Sequence, residues 1–195
     1  CGCGKASLTF AAYFYLTQAK GLSVRVRGID RNAGVIATVR RLAGDLGVAD
    51  AVRFIEGDLA TAEPDIRPRL TLSLHACDTA TDEALARAVA WGSRHILAAP
   101  CCQHELHKNL PGGGPMRAVL RQGIMRARLA DLLTDTFRAQ LLRIVGYRVQ
   151  VVEFVEPSAT ARNIMLRAEA AVQPQQGAAL REYLELRDFW GVTPW

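Results

Sequence analysis

Residues able to do chemistry cluster at five points along the 195-residue chain. The first is the glycine loop Cys1-Gly2-Cys3-Gly4-Lys5, which runs at once into a helix-like stretch. Glycines allow backbone N–H groups to approach a nucleotide-like ligand closely. Asp30 lies 26 residues beyond Gly4, at the end of a β-branched run. A carboxylate there can accept hydrogen bonds from both hydroxyls of a ribose, or it can cap a helix beginning at Arg31. Asp58 follows a third apolar run in Gly57-Asp58-Leu59, where a helix cap is again the simpler role. The last two points are Leu74-His75-Ala76-Cys77-Asp78 and Pro100-Cys101-Cys102-Gln103-His104. Asp78 and His104 are candidate general bases there.

Cys77, Cys101, Cys102, His75, His104 and His107 also raise a metal reading. Adjacent cysteines point apart in extended chain, and zinc sites usually use C-x-x-C spacing, so no metal is expected. The cysteines then serve as small apolar wall residues. Cys101, after Pro100, could also act as a nucleophile.

The elements that position these residues alternate between strand and helix. Leu8 to Lys20 has helical spacing and is closed by Gly21. Ser23 to Ile29, Ala51 to Ile55, Leu70 to Leu74 and His95 to Ala99 read as strands, suited to a parallel sheet buried on both faces. Arg31 to Leu46 and Thr81 to Trp91 read as helices. Asn109 to Pro115 is the clearest loop. A long helix follows, from about Arg121 to Ile144. Ile124, Met125, Leu129, Leu132, Leu133, Phe137 and Leu141 would form its apolar side. Arg121, Arg128, Asp131, Asp135 and Arg138 would lie opposite, as a solvated face with i,i+3 ion pairs or as a ridge facing RNA. Tyr147 to Val155 and Asn163 to Ala168 are joined too closely for a crossover, so they should pair antiparallel. Residues 177–190 give a last helix.

Half the residues are hydrophobic and 22% are charged, which excludes a disordered chain. The net charge of +5 is compatible with an acidic partner such as RNA. Lys occurs only at Lys5, Lys20 and Lys108, so the basic charge is carried by Arg. No stretch approaches the roughly 20 apolar residues of a membrane span. Five cysteines, an odd number with two adjacent, suit a reducing, cytoplasmic setting.

With the terminal hairpin, the strand-end residues resemble the class I S-adenosylmethionine-dependent methyltransferases. The Cys-Gly-Cys-Gly-Lys, Leu-His-Ala-Cys and Pro-Cys-Cys-Gln-His segments are similar to the branch carrying G-C-G-K-G, L-H-A-C and P-C-C-x-H signatures. That branch includes tRNA ribose methyltransferases and the glutathione S-transferase C-terminal-domain-containing protein. The likeness spans essentially the whole chain, including Ala161-Arg162-Asn163. Ala6 departs from it, standing where the family has a loop glycine.

The resemblance implies an α/β, Rossmann-like sheet, mostly parallel with a terminal antiparallel hairpin. It implies S-adenosylmethionine held by Gly2, Cys3, Gly4, Lys5, Asp30, Asp58, Leu59 and His75, with Asp58 on the adenine amine. It further implies methyl transfer to RNA or to a protein side chain, served by Asp78, His104 and Cys101. In that family an acidic residue on a central strand precedes the loop. The chain is therefore expected to be a single methyltransferase domain lacking its first strand, and unstable alone. A methyltransferase-like binding module without turnover and a nicotinamide oxidoreductase are the competing classes; the terminal hairpin argues against the second.

Overall fold

The structure is a computed structural model and describes residues 1–195 except 75, 77, 102, 112–113, 157, 159, 161, 172–175 and 194–195. It comprises two compact units, Cys1–Arg67 and Pro68–Trp195, each described by itself.

In the first unit, helix α1 (Ser7–Phe14) continues as a π-helical stretch, Tyr15–Ala19. Strand β1 (Val26–Asp30), helix α2 (Ala33–Asp45) and strand β2 (Val52–Glu56) follow. β1 and β2 pair in parallel, with Asp30 opposite Glu56. The helix expected from Arg31 begins two residues later. Asn32 caps it, its Oδ1 accepting from Val35 N at 3.0 Å. Ala6, Phe10, Ile36, Val39, Ala43, Val52 and Phe54 form the core, with the Phe10 and Phe54 rings 5.6 Å apart.

The second unit holds β3 (Leu70–Leu74), α3 (Thr79–Ala90), β4 (His95–Ala99), α4 (His104–Asn109), α5 (Arg117–Leu120), α6 (Gly123–Ile144), β5 (Tyr147–Glu153), β6 (Ile164–Ala170) and α7 (Gln176–Trp190). The sheet order is β3-β4-β6-β5, with β3 and β4 parallel and β6 antiparallel to both β4 and β5. The terminal hairpin is present as expected. In this sheet β3, β4 and β5 run in one direction and β6 alone is reversed between β4 and β5, so the sheet is mixed, with its antiparallel pairings confined to the last strand. Burial on both faces holds where consecutive residues are buried, at Gly28 and Ile29 of β1 and at Ala98 and Ala99 of β4, but not along β3. β3 alternates, with Thr71 and Ser73 buried, Leu72 and Leu74 half-buried, and Leu70 exposed. Leu85, Ala88, Ile96, Ala98, Leu142, Tyr147, Leu166 and Ala168 form one core cluster. Leu106, Leu110, Leu120, Ala130, Leu133, Phe137, Trp190 and Val192 form another.

The apolar side assigned to the long helix needs correction. Ile124 is 66% exposed, and Met125, Leu132 and Leu141 are exposed as well. Asp135 and Arg138, expected on the solvated or RNA-facing side, are 6% and 3% exposed. α6 packs on α4, α7 and β5, so its inner face follows Ala130, Leu133, Thr134, Phe137 and Leu142 and takes Asp135 and Arg138 with it. The expected i,i+3 ion pair does form, but inside the protein. Among the described residues, no helix is long and apolar enough to cross a membrane.

Candidate functional site

In the first unit three segments converge on Asp30. Gly2, Gly4 and Ala6 alternate in the left-handed region, with φ of 60°, 49° and 60°. This coils the chain so that Cys3 N donates to Ile29 O at 2.9 Å and Gly4 N donates to Asp30 Oδ2 at 2.8 Å. Asp30 Oδ1 accepts from Asn32 N at 3.0 Å. Gly57 N donates to the Asp30 carbonyl, also at 3.0 Å, tying the segment after β2 to the same point. Asp30 is thus the clamp between loop and strand ends, not the helix cap. Each carboxylate oxygen keeps a second lone pair for an outside donor.

The side chains around this clamp divide sharply. A Cβ on Gly28 would meet Cys3 Sγ at 3.2 Å, so the thiol packs directly over β1. Burial pushes the Cys3 thiol up to about 11, and the Asp30 carboxylate adds to the shift. It is therefore a neutral wall at physiological pH and not a thiolate. Leu59 is buried. Asp58 and Lys5 are exposed. Asp58 Oδ1 accepts from Ala60 N at 2.9 Å, which shapes a turn and leaves the residue at the surface. A Cβ on Gly4 would meet nothing within 4 Å, so there is open space over the loop. A left-handed glycine loop, open space and a strand-end carboxylate fit a ribose-bearing ligand. His75, the remaining residue assigned to that ligand, lies outside the described residues, as do Cys77, Cys102 and Ala161.

In the second unit the ends of β3 and β4 are joined. Asp78 has φ 54° and ψ −127°, a conformation that is strained for any residue but glycine. Its Oδ1 accepts from Glu105 N at 3.1 Å, so it caps α4 across the two loops. Its carbonyl accepts from Arg138 Nη2 and from Thr81 N. Arg138 Nε and Nη2 each reach Asp82 at 2.7 Å, and Nη1 reaches Asp135 at 3.0 Å. Asp135 Oδ2 accepts from Gln103 Nε2 at 3.1 Å, and Gln103 Oε1 accepts from Arg162 Nη1 at 2.7 Å. Arg162 also pairs with Asp131.

Burial pushes the Asp135 carboxyl up, against the pull of Arg138 and Gln103. Burial also opposes the Arg138 charge, but Asp82 and Asp135 outweigh it and raise the guanidinium further. His104 is exposed at the start of α4, and Cys101 is half-buried. Among the described residues no group of three or more His, Cys, Asp or Glu is arranged to hold a metal ion. Gln103, Asp135 and Arg138 were missed as site residues. Their signal is faint: an Asp and an Arg three apart on positions that interleave with Leu133, Thr134 and Phe137.

A glycine loop and strand-end carboxylates on an α/β scaffold define the nucleotide-binding class of protein. A family model described as a methyltransferase domain matches residues 1–109, more than half of the chain. The chain belongs to that family. No curated protein matches the sequence. Among solved structures, a candidate tRNA methyltransferase from Streptococcus pneumoniae is 12% identical, with a TM-score of 0.50 over 96% of this chain and 69% of that one. The Podospora anserina methyltransferase PaMTH1, solved with SAH, is 17% identical with a TM-score of 0.49, covering 87% of this chain and 69% of that one. A candidate rRNA methylase from Clostridium thermocellum is 18% identical with a TM-score of 0.48, covering 88% and 84%. At these identities the first of them speaks for the α/β fold alone.

Proposed function

We propose that this chain is an S-adenosylmethionine-dependent methyltransferase acting on RNA. The observation that supports it most is the convergence of Gly4, Asn32 and Gly57 N–H groups on Asp30. That arrangement fixes a carboxylate beside an open glycine loop, as a ribose diol requires. Gly2, Cys3, Gly4 and Lys5 would line the loop side, with Asp58 and Leu59 at the base. The cofactor, when bound, supplies an electrophilic methyl group on a sulfonium.

The residues of the chain then have two tasks. They orient the acceptor for in-line attack and exclude water. A hydroxyl acceptor also needs a base. Asp78 is the first candidate, since only its Oδ1 is taken up by Glu105. His104, exposed at the next strand end, is the second. Cys101 serves as a wall. The cellular setting proposed is the cytoplasm.

Isothermal titration of S-adenosylmethionine into the wild type and Asp30→Ala tests the reading. The wild type should bind, and the variant should lose at least about tenfold in affinity, the value of one good hydrogen bond to a charged group. Equal affinity in both proteins refutes the assignment. Binding without label transfer to any RNA or protein fraction would mark a binding module instead.

A further inference from the structure

We propose that the segment from α4 to the first turns of α6 is the surface that grips the phosphate backbone of the RNA acceptor. This rests on the reading above and adds the place where the acceptor is held.

This segment is strongly cationic. Residues 104–128 hold five cations, Lys108, Arg117, Arg121, Arg126 and Arg128, against the single carboxylate of Glu105. Their net charge is +4. Several arginines elsewhere are neutralised. Arg27 pairs with Asp65, Arg143 with Glu182, Arg148 with Glu169, Arg162 with Asp131 and Arg187 with Asp188. Lys108, Arg117, Arg121 and Arg128 are exposed and, among the described residues, make no ion pair. Unpaired exposed cations repel one another, so a cluster of them gains most from a polyanion.

The cluster is also held together. Arg126 spends its charge internally, donating to His107 O at 3.1 Å and Leu110 O at 2.5 Å. This pins the end of α4, with Lys108, to the first turn of α6, two residues before Arg128. Leu106, Leu110 and Leu120 sit in one core cluster with Leu133 beneath these elements. Arg121 N donates to Arg117 O, one turn apart. Guanidinium forks match phosphate oxygens. The segment contains no Phe, Tyr or Trp, and its only rings are those of His104 and His107. It should therefore read mainly backbone charge.

The test is fluorescence anisotropy of labelled bulk tRNA against KCl from 50 to 200 mM, without cofactor. The variant carries Lys108→Gln, Arg117→Gln, Arg121→Gln and Arg128→Gln, all at exposed positions, with thermal melting to confirm the fold. Four lost phosphate contacts should flatten the log–log salt slope by about 3, so the wild type loses roughly fifty-fold more affinity than the variant over that range. An Arg148→Gln/Arg187→Gln control removes two paired arginines outside the segment and should keep the wild-type slope. Equal slopes in the wild type and the fourfold variant overturn the proposal. So does displacement of tRNA by polyglutamate at equal charge, which would point to an acidic protein. Cofactor affinity does not enter this readout, so the surface and the methyl-transfer reading can fail separately.

Discussion

Ala6 and Ala43 are each 1% exposed and share the core cluster of the first unit, yet replacing them by glycine should have different outcomes. Ala6 has φ 60° and ψ 16°, at the N-terminal edge of α1. The left-handed region costs an L-residue about 1–2 kcal/mol, which Ala6→Gly would release. Against this, glycine adds about 0.4–1 kcal/mol of unfolded-chain freedom. The lost methyl gives up about 0.8 kcal/mol of burial. These terms nearly cancel, and the net change should stay within about 1 kcal/mol of zero. Ala43 lies inside α2, where there is no strain to release. There the helix penalty of about 1 kcal/mol adds to the methyl, giving a loss of about 2 kcal/mol, or roughly 4–8 °C in Tm. Urea unfolding of the two variants beside the wild type measures both. Equal losses of about 2 kcal/mol would show that Ala6 is not left-handed. The loop would then not have the glycine-like path that Ala6 takes where the resembled family has glycine.

Two further outcomes follow from close contacts and burial. A Cβ on Gly28 would lie 2.5 and 2.6 Å from Phe54 Cδ1 and Cε1, and the Phe54 ring is buried against Phe10. Gly28→Ala should cost about 1–3 kcal/mol in urea unfolding, and Phe54→Leu in the same chain should recover part of it; full additivity would rule out the contact. Burial raises the Asp135 carboxyl, so the folded state keeps a proton that the unfolded state has lost. The stability of the wild type relative to Asp135→Asn should therefore fall as pH rises above 3.8, and a flat difference would refute the shift.

The strands and most helices were legible because short β-branched runs bounded by Gly, Asp and Pro leave few alternatives. Leu70–Leu74 and His95–Ala99 agree to the residue with the observed strands. Two things were not legible. α4 and α5 are short, and the motif residues around His104 and the glycines after Pro111 masked their helical pattern. The inner face of α6 is not legible because polarity in a sequence ordinarily signals exposure. A buried Arg that meets two carboxylates and a carbonyl escapes that rule, and its partners are 3, 56 and 60 residues away. The Asp30 clamp was half legible: the residue type and position were expected, while the link to Gly4 N across 26 residues is a property of the folded loop.

Asp78 shows why the misread helix bears on function. Its backbone is one in which glycine would be free of strain, so the side chain must offset a cost of about 1–3 kcal/mol. A single hydrogen bond from Glu105 N to its carboxylate recovers about 1.5–3 kcal/mol, as bonds to charged groups do. Arg138 holds the carbonyl of the same residue, and through Asp135 it also holds Gln103 at the next strand end. Glycine at this position would free the backbone but release α4. Aspartate keeps the ends of β3 and β4 locked to each other, at the carboxyl edge where α/β sheets place their ligands.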